Sequence, residues 1–258
     1  MPEGPQARRM ANIITKFCNK DICQISHLSN KTTWDIDIPA KITSVCVHGK
    51  NIFIHLNNGK IIYNHMLMWG WWFPTLEPKT KKRLNTAFLF ADGTSLGYFG
   101  GGIIKPIDQK QLFEIKDKLG PDIIDSPNAE IAFKKLSKSN LAVGPGLLEQ
   151  SLIAGVGNIY KNEALFVAKI NPTQIANTLT SNQYQKLFNF LQPQMKADIY
   201  RSGKINTISK QAAKNGHYNF VYKRLGQNCL FCNSKIQRIY QGSSKQRSTY
   251  FCPLCQRL

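Results

Sequence analysis

The sequence predicts an α+β protein of two domains, a β-rich domain followed by a helical domain that ends in a four-cysteine metal module. Three observations support this prediction. Residues 41–99 combine alternating apolar positions with Asn-Gly and Asp-Gly turns, a pattern typical of antiparallel strands. The second half places apolar residues at helical spacing, and two Cys-x2-Cys pairs lie near the end of the chain. With 258 residues, 42% of them hydrophobic, the chain is long enough to bury two cores.

The first half is predicted to begin with a helix and to continue as a sheet. Apolar residues at i, i+3, i+4 and i+7 within 7–18 predict an amphipathic helix. Apolar and polar residues alternate at 52–56, and Asn58-Gly59 and Asp92-Gly93 predict hairpin turns between strands. Three glycines at 100–102 then interrupt the β pattern. We therefore expect a sheet of successive hairpins after one N-terminal helix.

The second half is predicted to be helical. Helical spacing returns at 112–119, and Ser126-Pro127 matches an N-cap followed by a first helical residue. Three further segments share this spacing: 147–154, 158–168 and 184–191. Pro193 has no amide hydrogen, so we expect it to kink or end the last of these helices.

A short glycine-rich turn lies between two of the predicted helices. Gly155-Val156-Gly157-Asn158 would expose backbone N–H groups at the start of a helix, which suits an anion such as phosphate. Most glycine-rich turns only connect elements, and that alternative stays open for this segment taken alone.

The charge of the chain indicates an anionic partner. Lys and Arg number 34 and Asp and Glu number 15, so the formal net charge is +19. Residues 196–258 contain twelve basic residues and one acidic residue, Asp198, for a net charge of 12 − 1 = +11. Such asymmetry is typical of nucleic-acid binding and less often of binding to an anionic membrane surface. A basic face that is only solvated is the remaining alternative.

The sequence gives no sign of secretion or of membrane insertion. No stretch approaches the roughly 18 uninterrupted apolar residues of a membrane span, and the N-terminus lacks the apolar run of a signal peptide. The seven cysteines, an odd number, argue against a disulfide framework. We therefore expect a protein of a reducing intracellular compartment, the cytoplasm or the nucleus. Cys18, Cys23 and Cys46 are interpreted as ordinary core cysteines.

Two cysteine pairs, Cys229-Leu-Phe-Cys232 and Cys252-Pro-Leu-Cys255, form the pattern C-x2-C-x19-C-x2-C. Four thiolates at this spacing can occupy the corners of a zinc tetrahedron, with buried free cysteines as the alternative. Because thiolates fill all four positions, no position is left for a catalytic water, and one structural zinc ion is predicted. Alternation across 236–251 predicts a β-hairpin between the pairs, with Arg247 near its tip.

The N-terminus carries a candidate nucleophile. Pro2 follows the initiator Met, and its small size favours removal of Met1, which would leave a secondary amine. An α-amino group has a pKa of about 7.7–8.0, so a fraction of it is neutral and nucleophilic at pH 7. Attack on a sugar C1′ would give an iminium ion, and Glu3 is a candidate general acid or base. An ordinary chain terminus is the alternative for these two residues alone.

Four blocks of the sequence can be compared with known families: PEGP at the start, LLEQ-x4-GVGNIYKNEALF at 147–166, VYKRLGQNC at 221–229 and QRSTYFCPLC at 246–255. Together, and in this order, they resemble the formamidopyrimidine-DNA glycosylase and endonuclease VIII (Fpg/Nei) family. The resemblance spans essentially the whole chain. It implies an N-terminal β-sandwich with flanking helices and a C-terminal helix-two-turn-helix domain with a four-cysteine zinc finger.

The resemblance also implies a division of the chain into four segments. In order, they are a catalytic β-sandwich domain, a linker, a helix-two-turn-helix DNA-binding domain and a zinc finger. The corresponding residue ranges are 1–105, 106–125, 126–220 and 221–258.

The family's activity is to remove oxidised bases from DNA and then to cleave the abasic strand, in base excision repair. By position, the resemblance implies that Pro2 forms a Schiff base with C1′ and that Glu3 is the general acid that helps open the deoxyribose ring. Lys50 matches the lysine that contacts the phosphate beside the lesion. Asn158 and Arg247 match residues that grip the backbone around the flipped nucleotide, which offsets the cost of extruding it.

Met68 matches the family residue that fills the gap left by the flipped base. Its alternative is an ordinary place in the core. Three tryptophans close to it in sequence either stack on bases or pack the sheet: Trp69, Trp71 and Trp72.

The chain also departs from the Fpg pattern. A loop that supplies an arginine to the gap in Fpg-type members here reads Leu96-Gly97-Tyr98-Phe99, without arginine. PEGP resembles the Nei branch, which implies oxidised pyrimidines or hydantoins as substrates. The expected partner is damaged DNA, duplex and also single-stranded, bound by a monomer. The alternatives are an Fpg-type enzyme for oxidised purines and a catalytically silent protein that only binds damaged DNA.

Overall fold

The structure, a computed structural model, describes residues 2–28, 34–125, 128–201, 207, 218–242 and 246–258. The chain divides into two compact units, Met1–Lys118 and Leu119–Leu258. The division falls within the segment 106–125 that the sequence analysis assigns to a linker. The predicted helix start at Ser126-Pro127 lies outside the described residues.

The first unit is a helix followed by antiparallel strands and a second helix. Its helices are α1 (Gly4–Thr15) and α2 (Gln109–Asp117). Its strands are β1 (Asp21–His27), β2 (Ala40–His48), β3 (Asn51–Leu56), β4 (Ile61–His65), β5 (Trp71–Phe73), β6 (Leu84–Phe90), β7 (Ser95–Phe99) and β8 (Ile103–Ile107). Their order in the sheet is β5-β7-β6-β1-β2-β3-β4-β8, and every neighbouring pair is antiparallel.

The sheet folds into a β-sandwich, as predicted. Strands β1 and β2 share only a short register at Asp21 and Ile22, so the four strands before and the four after this junction form two halves. Side chains of both halves and of α1 meet in one core. Trp72 on β5 is fully buried there, and its indole N–H donates to Asn64 Oδ1 on β4 at 3.0 Å. One contact therefore joins the two halves across the core.

The turns of the first unit follow the predicted chemistry. Gly59 and Gly93 have φ values of +82° and +80°, which glycine adopts without a steric cost. Both lie between paired strands, so the hairpins predicted from Asn-Gly and Asp-Gly are confirmed. The N-terminal helix begins at Gly4, three residues before the predicted start, because Glu3 caps it and Pro5 lies in its first turn.

The second unit is mainly helical and ends in a two-stranded hairpin. Its helices are α3 (Asn128–Leu136), α4 (Val143–Gly146), α5 (Asn158–Val167), α6 (Ser181–Tyr200) and a 3₁₀ helix at Ala176–Thr178. Strands β9 (Gln237–Gln241) and β10 (Arg247–Phe251) pair antiparallel, which confirms the predicted hairpin. None of the helices in the part of the chain that the structure describes is long and apolar enough to cross a membrane.

The predicted helix at 147–154 is wrong. The helix here is the four-residue α4, and successive turns follow it. The side chain of Gln150 takes the place of helical backbone bonds, because its amide donates to the carbonyls of Leu148 and Val156 at 2.9 and 3.1 Å and its oxygen accepts the Gly155 N–H at 3.1 Å. Such side-chain bonds compete with a helix.

Two helices of the second unit compare differently with their sequence predictions. Helix α5 matches the prediction at 158–168 to within one residue. Helix α6 continues through Pro193 to Tyr200, so the proline does not end it. Apolar side chains from α3, α5 and α6 share one core, which stabilises α6 beyond its local propensity.

Candidate catalytic and nucleic-acid sites

The first unit holds Pro2 and Glu3 at the start of a buried helix. Pro2 is half-buried, and Glu3 is the N-cap of α1 with only 1% of its surface exposed. The Glu3 amide donates to Gln6 Oε1 at 2.8 Å. Helix α1 packs against β2, β3 and β5, so these two residues have a fixed place on the sheet. A fixed geometry is what a nucleophile and an adjacent acid need.

Lys50 lies in the two-residue turn between β2 and β3. Gly49 supplies the positive φ of +61° that the turn requires, and His48 pairs directly with Asn51. Buried Asn51 fixes the turn, because its amide donates to the His48 carbonyl at 3.0 Å and its oxygen accepts the Tyr63 hydroxyl at 2.9 Å. Lys50 is half-exposed at the end of this rigid hairpin.

His65 lies beside this turn and was missed by the sequence analysis. It pairs with Asn51 across β3 and β4. Burial, together with the charge of Lys50, lowers the pKa of His65 below its usual value of 6.5. Its Nδ1 accepts the Leu67 N–H at 3.1 Å, so the neutral ring presents its proton on Nε2. An anion bound here would therefore meet a cation, Lys50, and a neutral hydrogen-bond donor, His65. Only the strand register shows that the two residues are neighbours.

An exposed apolar loop follows β4. Leu67, Met68 and Trp69 are 45%, 50% and 67% exposed, whereas Met66 before them is buried. The Gly70 amide donates to the Met66 carbonyl at 3.0 Å and closes the loop. A core position for Met68 is thus ruled out, because three large apolar side chains in a row lie in solvent at a loop tip.

The three tryptophans have different places. Trp72 is fully buried and packs the sheet, whereas Trp69 is exposed in the loop. Trp71 is half-buried with the Lys82 ammonium 5.6 Å from its ring centroid. Lys82 also donates to the Trp69 carbonyl at 2.5 Å, so one cation connects the loop to the strand that follows it.

The segment Leu96-Gly97-Tyr98-Phe99 is not a loop, contrary to the prediction. It forms most of β7, with Leu96 and Tyr98 fully buried and the Tyr98 ring 5.1 Å from that of Trp72. The loop after it is 100–102, which is glycine throughout and has no arginine. A Cβ on Gly100 would lie 2.4 Å from the Trp69 carbonyl oxygen, so only glycine lets this loop pass so close to the 66–70 loop.

In the second unit the structure brings Asn158 and the strand of Arg247 together. Asn158 is the first residue of α5, after Gly157, which has no side chain to cap the helix. Its Nδ2 donates to the carbonyl of Ser248 at 3.0 Å, and its Oδ1 is buried without a hydrogen-bond partner among the described residues. Arg247 is half-exposed and is the first residue of β10. A helix N-terminus and a guanidinium group therefore lie on adjoining segments, which suits an anion.

The four predicted ligand cysteines form one cluster. Their Sγ atoms all lie within 4.8 Å of one another, with Cys229 and Cys255 3.8 Å apart and Cys232 and Cys252 3.4 Å apart. A tetrahedral ion with metal–sulfur bonds of about 2.3 Å separates its ligands by about 3.8 Å. The cluster can therefore hold a metal ion of this size.

The surroundings of these thiols shift their pKa values in opposite directions. Hydrogen bonds from Ser234 lower the pKa of Cys232 to about 6, whereas burial raises the pKa of Cys229 and Cys255. Thiols buried together favour their neutral form unless a cation replaces the protons. The interpretation of the remaining cysteines is partly wrong: Cys18 packs against the core, but Cys23 and Cys46 are exposed.

The fold and the two sites define a DNA glycosylase of the helix-two-turn-helix class. Comparison with known families agrees: residues 1–100 match the formamidopyrimidine-DNA glycosylase N-terminal domain, and residues 119–210 match the formamidopyrimidine-DNA glycosylase H2TH domain. The chain belongs to the Fpg/Nei family. It is a DNA glycosylase for oxidised bases in DNA repair, of a family whose members have abasic-site lyase activity.

Individual relatives come from both named branches. A formamidopyrimidine-DNA glycosylase of Mycoplasmopsis pulmonis is 35% identical over 279 residues, covering 100% of this chain and 98% of the relative. An endonuclease 8 1 of Mycobacterium bovis is 28% identical over 81% of each chain. Among solved structures, Lactococcus lactis Fpg (MutM) in complex with DNA containing an oxidised pyrimidine is 25% identical, with a TM-score of 0.79 over 100% of both chains.

Proposed function

We propose that this glycosylase is bifunctional and works through a Schiff base formed by Pro2 after Met1 is removed. The observation that carries the proposal is the place of Pro2 and Glu3, which are held on the sheet by the first turn of a buried helix. In the proposed step, the neutral Pro2 nitrogen bonds to C1′ as the C1′–base bond breaks; the base leaves with the electron pair of that bond and takes up the proton that the nitrogen releases. Glu3 protonates the ring oxygen as the deoxyribose opens.

The lyase step follows from the same intermediate. The ring-opened iminium ion withdraws electrons from C1′, so the C2′ proton becomes acidic and its loss expels the 3′ phosphate by elimination. Water then hydrolyses the iminium ion and returns Pro2 to its free amine. No metal or redox partner is needed to balance these steps.

Other residues of the first unit support this chemistry by holding DNA. His65 lies opposite Asn51, the residue next to Lys50, and the charge of Lys50 acts on its ring, so we assign both to the phosphate next to the damaged nucleotide. Met68 is assigned to the gap that the flipped base leaves, because it lies at the exposed tip of the 66–70 loop. Filling this gap offsets the unstacking cost of a few kcal/mol.

The second unit is assigned to the DNA backbone. Asn158 and Arg247 would bind phosphates, since the start of α5 and the start of β10 adjoin. We assign one structural zinc ion to the cysteine cluster, because its four sulfur ligands leave no position for a catalytic water. Zinc would hold the small hairpin that carries Arg247. We expect the protein to act as a monomer on duplex DNA.

Borohydride trapping tests the Schiff base. The wild-type protein and oxidised-base DNA should give a covalent complex on reduction. Pro2→Gly should lose base excision, whereas Lys186→Met, an unrelated control, should retain it. Glu3→Gln should lose excision while it still binds DNA with an abasic analogue. Intact mass decides whether Met1 is absent; active protein that retains Met1 would overturn the mechanism and would favour a Pro2-independent one.

For the substrate, we propose the Nei-type class of oxidised pyrimidines and hydantoins. The all-glycine loop at 100–102 supports this, because it provides no side chain to support the base opposite the lesion. Weaker support for the opposite base should also permit single-stranded DNA. The oxidised-purine class is the second candidate, since the 35% identical relative is named a formamidopyrimidine-DNA glycosylase.

Excision of 8-oxoguanine, thymine glycol and a hydantoin by the same preparation separates the two classes. Each lesion should be placed in duplex and in single-stranded DNA. A faster rate on 8-oxoguanine, restricted to duplex, would overturn the Nei-type assignment and establish the Fpg-type one.

A further inference from the structure

A row of buried polar contacts joins α5 to β10. Asn158, Lys161 and Asn162 are at positions i, i+3 and i+4, so they share one face of the helix. They contact three consecutive residues of the strand that begins with Arg247: Ser248, Thr249 and Tyr250.

The outer contacts of the row involve the backbone of the strand. Asn158 Nδ2 donates to the Ser248 carbonyl at 3.0 Å, and the Tyr250 amide donates to Asn162 Oδ1 at 2.5 Å. Asn162 is fully buried, and its own Nδ2 donates to the Asn158 carbonyl at 2.5 Å. These bonds fix the backbone of β10 against α5 but do not fix any side chain of the strand.

Lys161 makes the one contact of this row that reaches a side chain of β10. Its Nζ donates to Thr249 Oγ1 at 2.6 Å, and the two residues are 1% and 0% exposed. Burying an ammonium group costs free energy, which hydrogen bonds only partly return. An apolar side chain would pack α5 against β10 without this bond, so the lysine adds a directional contact to Thr249 that packing alone would not supply.

Thr249 lies two residues after Arg247. Side chains alternate between the faces of a strand, so Thr249 and Arg247 share one face of β10. Arg247 pairs with Gln241 and is half-exposed, whereas Thr249 is completely enclosed. The bond from Lys161 to the Thr249 hydroxyl therefore anchors the face of β10 that carries Arg247, two residues from the point where that side chain leaves the strand.

We propose that Lys161 is a positioning residue for Arg247, acting through the hydroxyl of Thr249. This inference rests on the proposed role of Arg247 in binding a DNA phosphate. The bond between Lys161 and Thr249 holds β10 in the alignment that aims the guanidinium group at the phosphate, so without the bond this contact is lost. Loss of the bond leaves the fold and the chemistry of Pro2 in place but weakens the grip on DNA.

The experiment separates the hydroxyl of Thr249 from its methyl group. Thr249→Val keeps the shape and removes the acceptor, whereas Thr249→Ser keeps the acceptor and removes the methyl group. Affinity for DNA with an abasic analogue is measured between 50 and 200 mM salt for these variants, for Lys161→Met and for Arg247→Ala. Lys186→Met, an exposed lysine of α6, is the control for the lost charge.

We expect Thr249→Val and Lys161→Met to weaken binding about tenfold, as loss of a hydrogen bond to a charged group does. Both should lower the slope of log affinity against log salt by about 0.9, the value of one phosphate contact. Arg247→Ala should do the same, and the Arg247→Ala, Thr249→Val double variant should be no weaker than Arg247→Ala. Thr249→Ser, Lys161→Arg and Lys186→Met should retain the wild-type slope.

The outcomes distinguish the two proposals. If Arg247→Ala leaves the slope unchanged, the phosphate-binding role of Arg247 is wrong. If Arg247→Ala lowers the slope but Thr249→Val does not, the positioning role of Lys161 is refuted and the role of Arg247 stands. Equal losses in Thr249→Val and Thr249→Ser would also refute it, because packing would then explain both. Should Lys161→Met fail to fold, the two Thr249 variants decide the question.

Discussion

Gly100→Ala tests whether the position of the 66–70 loop matters for function. Gly100 has a φ of +87°, and a Cβ there would lie 2.4 Å from the Trp69 carbonyl oxygen. Gly101 provides a matched control, because a Cβ at that position meets no atom within 4 Å. The two substitutions add the same methyl group to neighbouring residues of one loop.

The expected cost follows from the structure. An alanine in the left-handed region costs about 1–2 kcal/mol. The Trp69 carbonyl must also move away, which weakens the bond it accepts from Lys82 at 2.5 Å and adds about 0.5–1.5 kcal/mol. Alanine recovers about 0.4–1 kcal/mol by restricting the unfolded chain. The free energy of unfolding of the first unit should therefore fall by about 2 kcal/mol in Gly100→Ala and rise by about 0.4–1 kcal/mol in Gly101→Ala, where only the restriction of the unfolded chain applies.

Two assays follow the perturbation. The free energy of unfolding of the first unit is measured by urea unfolding, monitored by hydrogen exchange in peptides of that unit. Excision of an oxidised base, with 2-aminopurine next to the lesion, measures how well the loop fills the gap. We expect about tenfold slower excision in Gly100→Ala, since a lost stacking contact costs about 1–3 kcal/mol. If Gly100→Ala matches Gly101→Ala in both assays, the loop does not depend on Gly100 and this reasoning is wrong.

Three further predictions concern other parts of the site. Met68→Ala should slow base excision about tenfold and leave cleavage of a preformed abasic site unchanged, because only base extrusion needs the gap to be filled. Equal loss of both rates would contradict this prediction. The pKa of His65 is lower in the folded protein than its unfolded value of 6.5, so the stability linked to this residue is present above pH 6.5 and is lost as the pH falls through the folded value. The unfolding free energy of His65→Gln should therefore drop less between pH 7 and pH 5 than that of the wild type. Equal drops would exclude the effect. Cys252→Ser should abolish binding of one zinc ion, measured by metal analysis, and weaken DNA binding by tenfold or more; full zinc content in this variant would remove Cys252 from the ligand set.

Features that depend on nearby residues could be predicted from the sequence. The hairpins at Gly59 and Gly93 follow from turn chemistry, because a positive φ is a local requirement. The cysteine cluster follows from spacing, because each Cys-x2-Cys pair places two thiols side by side. In both cases two or three residues determine the geometry.

Features that depend on distant contacts could not be predicted. Leu96 and Tyr98 were interpreted as part of a loop, but pairing of β7 with β5 and β6 places them in the core. The helix predicted at 147–154 is a different case: turns replace it because the Gln150 side chain binds backbone groups within six residues, a local competition that apolar spacing does not show. His65 became a candidate only when the register placed it beside Lys50. In each case the competing interaction comes from strand pairing, burial or a side chain that the local pattern does not show.

The separation of tryptophans from thiolates makes the two units individually observable. All four tryptophans, including exposed Trp69, belong to the first unit, and the four clustered thiols belong to the second. Cobalt bound by four thiolates absorbs visible light, so a cobalt-loaded protein would report on the second unit by colour while indole fluorescence reports on the first. After rapid mixing with damaged DNA, the rates at which the two signals change can be measured separately, which shows which unit contacts the DNA first.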